Sequence, residues 1–144
     1  MNKLLAMGIA GALTTGLSLA AFAQGSATNE VSTAHAHAMM AQSANTLAMA
    51  HTHLHHVVNC LVGPKGTGFD AKAADPCKGQ GNGAIPDSAS EPALHAKLQT
   101  ALSDAQAGLK SDSLASVHKD ASKIAATLQD TGTPAKKASG GYSW

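Results

Sequence analysis

Arginine is absent from this chain, and its ten cationic side chains are all lysines set against nine carboxylates. A nearly neutral chain without Arg lacks the basic surface that phosphate neutralisation requires, so it is a poor candidate for nucleic acid, and none is expected as a partner. It is a poor candidate for an anionic membrane surface on the same ground. Aromatic residues make up only 3% of the chain, and charged residues 13%. A bulky aromatic core or a base-stacking platform cannot be built from Phe22, Phe69, Tyr142 and Trp144 alone. Ala and Leu remain to fill the interior, which points to closely packed helices. Glycine and proline are missing from Ser26 to Val62, so nothing of that kind stops a helix there. Cys-x-x-Cys-His and His-Glu-x-x-His motifs are both absent, which removes covalent haem and the zinc proteases.

What is present begins with the pattern of an export signal. Lys3 supplies a positive start, Leu4 to Ala20 an apolar stretch, and Ala21-Phe22-Ala23 a small-x-small cleavage site. Residues 1–23 are therefore expected to be removed, leaving a neutral mature chain from Gln24. The apolar run is short for a membrane span, so no insertion is expected after cleavage. The expected location is periplasmic or secreted. Cys60 and Cys77 are then read first as a disulfide, as an oxidising compartment favours. Closing that loop should contribute about 3 kcal/mol. The alternative makes Cys60 a thiolate ligand.

The mature chain is long enough for one domain, residues 24–134, and the expected fold class is all-α. Periodicity predicts three helices, at about 29–62, 91–109 and 113–131, in a small antiparallel three-helix, or four-helix-like, up-down bundle. Ser90 is the expected cap of the second helix and Ser111 or Asp112 that of the third. Leu94, Leu98, Ala101, Leu102, Ala105 and Leu109 form one apolar face; Leu114, Val117, Ala121, Ile124, Ala125 and Leu128 form another. Gly63-Pro64 ends the first helix. Residues 63–90, rich in Gly and Pro, make one long disulfide-pinned loop. Gly79 to Gly83 lacks the Lys-Ser/Thr and the strand of a phosphate-binding loop. Residues 135–144 read as a flexible tail.

Chemistry concentrates in the first helix. His51, His53, His55 and His56 fall within six residues, and imidazole is the commonest side-chain ligand of Zn, Cu and Ni. On a continuous helix His51 and His55 share one flank, with His95 of the second helix as a third ligand. His53, His56 and Met49 take the other flank, toward His118. His35 and His37 would then lie about 20 Å or more along the helix, outside the site. Met39, Met40 and Met49 add thioethers, which suit Cu(I). A divalent transition metal is thus the expected cofactor, copper first, nickel or zinc next.

In its signal peptide, His-rich Ala/Leu helix and low aromatic content, the chain resembles the periplasmic small metal-binding protein family. That resemblance implies binding and buffering of divalent metals, copper especially, without catalysis. No Ser-His-Asp set or paired carboxylates argue for an enzyme. The other reading is a non-catalytic envelope module whose Gly-rich loop contacts another envelope protein, its histidines incidental or pH-sensing.

Overall fold

The computed structural model describes residues 19–131, with side chains from 27 onward. Residues 1–18 of the expected signal peptide and the whole 135–144 tail lie outside that range. All regular structure among the described residues is helical: α1 (Leu19–Gln42), α2 (Leu47–Val62), the single turn α3 (Ala84–Asp87), α4 (Pro92–Leu109) and α5 (Leu114–Gln129). None of these helices is long and apolar enough to cross a membrane.

The expected helix over 29–62 is two helices, because residues 43–46 offer the backbone better partners than a continued helix does. Ser43 Oγ donates to the carbonyls of Met39 and Met40, which closes α1. Thr46 is extended, and its Oγ1 accepts from the Met49 amide as the N-cap of α2. Short hydroxyl side chains thus do what Gly or Pro would otherwise have done. The two helices fold back antiparallel.

Each half then needs its own buried stripe. In α1 that stripe is Ala27, Val31, Ala34, Ala38 and Ala41, all essentially inaccessible and spaced alternately four and three residues apart. Met40, which a continuous helix would bury, is 46% exposed. In α2 the stripe is Ala50, Leu54, Val57, Val58 and Leu61. The small residues of α1 let it pack closely on α2 and α5, while α4 packs on α5 and α2. Four long helices therefore share the core, one more than the sequence reading expects.

The faces expected of α4 and α5 are the ones that pack, with Leu98, Ala101, Ala105, Val117, Ile124 and Leu128 buried. Two caps differ: Glu91 precedes α4 without a side-chain cap, and Ser113 caps α5 by accepting from Ser116. Gly108 is a packing residue within α4; a Cβ there would lie 2.7 Å from Leu54 Cδ1.

Cys60 and Cys77 are disulfide-bonded, as expected, with Cα atoms 5.2 Å apart. Neither described cysteine is free, which rules out Cys60 as a thiolate ligand in this state. Beside the bridge, the buried Asn59 side chain donates to the carbonyls of Asp70 and Ala74 and accepts from the Asp70 amide. One amide group so replaces the backbone ladder that this loop lacks. At the end of α2, Gly63 adopts φ 69° against the Asn82 carbonyl, where any side chain would collide.

Candidate metal centre

Folding the first helical stretch back on itself carries His37 from the margin of the His-rich segment to its centre. His37 on α1 faces His53 and His56 on α2. Its Nδ1 lies 3.2 Å from His53 Nδ1 and 3.3 Å from His56 Nδ1. The rings of His37 and His56 stand edge to face at a centroid distance of 4.7 Å; those of His37 and His53 are tilted at 5.4 Å. His53 and His56 are three residues apart on α2, which puts both imidazoles on one face. All three rings are half-buried.

Nitrogens converging this closely need something between them. A neutral imidazole nitrogen carries either an N–H or a lone pair, so His37 Nδ1 either shares one proton between two acceptors or offers one lone pair to two donors. Protonating the cluster is no remedy. Burial first, then the facing His56 and His53, lowers the His37 pKa to about 4. His56 is lowered too, by burial and then by His53 and His55. An ion accepts the three lone pairs without adding a proton. Among the described residues these three form the one group of at least three His, Cys, Asp or Glu with ligand atoms all within 4.8 Å of one another. Three imidazoles in that arrangement could hold a metal ion.

Four of the other histidines make contacts that tie the fold together. His51 Nε2–H donates to the Ser111 carbonyl, tying α2 to the α4–α5 link. His118 Nε2–H donates to the Ala44 carbonyl in the α1–α2 turn. His95 Nδ1–H donates to the Ile85 carbonyl beside α3, and its Nε2 faces the Gln99 amide nitrogen, which donates to it. His55 Nδ1 pairs with Asp70 Oδ2 at 3.2 Å and holds the long loop against α2. The expected set of His51, His55 and His95 is not brought together: among the described residues the only such group with converging ligand atoms is His37, His53 and His56. Nor does His118 join the opposite flank. His53 and His56 do belong to the converging cluster, and Met49 is half-exposed near them on α2. His37, placed some 20 Å away on a continuous helix, is the residue the sequence reading left out.

No family model, curated protein or solved structure matches this chain. The site must be judged on its own chemistry, and two further features delimit it. Glu30 lies two turns before His37 on α1 and is 1% exposed. Its Oε1 accepts from the Gly83 amide at 2.8 Å, while its Oε2 is buried and meets no donor. Burial, aided by the Asp87 and Asp75 carboxylates and opposed by the Gly83 hydrogen bond, lifts the Glu30 pKa to about 7. A cavity of about 440 Å³ opens beneath the long loop between Val62, Pro64, Ile85, Pro86 and Leu102. No histidine lines it, and it is separate from the imidazole cluster.

Proposed function

We propose that this chain is an exported, non-catalytic metal-binding protein that sequesters or buffers a divalent transition ion of the copper, nickel and zinc group. Its ligands are His37, His53 and His56. The observation that carries the reading is the convergence of three imidazole nitrogens without a carboxylate among them. Such an all-nitrogen set suits borderline transition ions and is a poor host for Mg²⁺ or Ca²⁺, which take oxygen ligands. Copper leads by the general order of divalent affinities. The disulfide and the leader-like residues 1–23 support a periplasmic or secreted setting, and the likeness to periplasmic small metal-binding proteins supports buffering.

Native mass spectrometry of the mature chain with Cu²⁺, Ni²⁺ and Zn²⁺ tests this directly. The expected result is one tightly held ion, lost in His37→Ala and retained in His51→Ala. Retention of the ion in His37→Ala would overturn the assignment.

A further inference from the structure

The three-imidazole centre is built of nitrogen alone, but helix geometry sets two thioethers beside it. The exposed large apolar side chains of the described structure are Met39, Met40 and Met49, at 48%, 46% and 50%. Met40 follows His37 by three residues, one turn further toward the 43–46 turn and about 60° round α1. Met49 precedes His53 by four residues, one turn nearer the same turn and about 40° round α2. Because α1 and α2 run antiparallel, both methionines lie on the same side of the imidazole cluster. One turn rises about 5.4 Å, a gap that a flexible, unbranched methionine side chain can span. Met39 differs: two residues from His37, it points about 160° away from it around α1.

We propose that Met40 and Met49 close over the three imidazoles as a soft cap, so that the centre takes monovalent copper as well as a divalent ion. The inference rests on the three-histidine site proposed above. Thioethers are ligands of choice for Cu(I) and contribute little to Zn²⁺ or Ni²⁺ binding. The imidazole spacing agrees with this. Two nitrogens about 2.0 Å from an ion stand about 3.3 Å apart in a tetrahedral shell and about 2.8 Å apart as neighbours in a square plane. The two His37 edges, 3.2 and 3.3 Å, are compatible with a tetrahedral shell, which Cu(I) and Zn²⁺ both accept, so the sulfur atoms and not the imidazoles would distinguish the two ions. No electron transfer is required, since the ion arrives already reduced.

The test is an anaerobic titration of the full mature chain with Cu(I) against a chromophoric Cu(I) chelator, with a parallel Zn²⁺ titration. Leucine keeps the volume and hydrophobicity of methionine, so the double variant Met40→Leu/Met49→Leu removes only the sulfur. It should lose about tenfold or more in Cu(I) affinity and hold Zn²⁺ within about twofold of the parent. X-ray absorption of the Cu(I) complex should show sulfur scattering that this variant lacks. Met39→Leu should match the parent for both ions. Unchanged Cu(I) affinity in the double variant, or an equal loss of Cu(I) and Zn²⁺, would overturn the thioether cap and leave the imidazole site standing. Parental affinity for both ions in His37→Ala would overturn the imidazole site itself.

Discussion

Glu30 and His37 occupy the same face of the same helix, two turns apart, and burial acts on them in opposite directions. Glu30 is sealed between α1 and the Gly83 segment, where its charge would have no water and two carboxylate neighbours, so it holds its proton up to a pH of about 7. His37 is half-buried against two more imidazoles, so it sheds its proton and stays neutral down to about 4. Low polarity disfavours whichever form is charged, an anion at one position and a cation at the other. One consequence is functional. Near neutrality the Glu30 carboxyl is still partly protonated, so a metal would have to displace a proton there, whereas the His37 imidazole already offers a lone pair.

The contrast breaks most sharply under metal titration. His37→Ala should weaken binding of the preferred divalent ion roughly 100-fold, about 2.7 kcal/mol, while Glu30→Gln leaves it unchanged. Isothermal calorimetry on the two variants checks this, and equal losses would show that the two positions are not chemically distinct.

Comparable in size is the pH dependence of stability in the metal-free protein. Glu30 has a folded pKa of about 7, above the ordinary 4.5, so its contribution is fully present below about 4.5 and lost as pH rises to about 7. That loss amounts to about 3 kcal/mol. Glu30→Gln should abolish it, making the variant more stable than the parent at pH 8 by urea unfolding.

A smaller and opposite slope belongs to His37. Its folded pKa lies below the ordinary 6.5, so its contribution is present above 6.5 and lost as pH falls toward 4. The ring is only half-buried, so solvent screening should hold the effect to about 1 kcal/mol. His37→Ala should flatten the acid side of the stability profile, and acid titrations followed by circular dichroism would detect it. With both groups present the two slopes partly cancel between about pH 4.5 and 6.5.

The smallest effects belong to the structural histidines. His51→Ala and His118→Ala each remove one hydrogen bond to a carbonyl, which should cost about 1 kcal/mol of stability and no metal affinity. A large loss of metal binding in either variant would return the site to the other faces of α2.

These residues also mark how far the sequence could be read. The faces of α4 and α5 were legible because strong 3.6-residue periodicity runs between clear stops, and the disulfide followed from two cysteines behind an export-like leader. A cluster of imidazoles able to hold an ion was legible in kind from their density. Its ligand set was not, because one structural break was overlooked. Reading Gly and Pro as the only stops passed over Ser43-Ala44-Asn45-Thr46, whose hydroxyls cap both helices. Once the chain is treated as one helix, every angular position before residue 43 is carried wrongly into the region after it. Ala27, Val31, Ala34, Ala38 and Ala41 did carry a signal, a stripe out of phase with Leu47, Leu54 and Leu61. Small alanines make such a stripe easy to miss beside leucines.

The candidate centre draws its three imidazoles from residues 37 to 56, a single hairpin. Bringing them together closes a loop of fewer than 20 residues, a short search compared with docking α4 and α5. The ion-holding geometry can therefore exist before the rest of the bundle has assembled. If the proposed ion is present while the chain folds, it would act on the early steps and raise the rate of hairpin closure, over and above any slowing of unfolding in the finished protein.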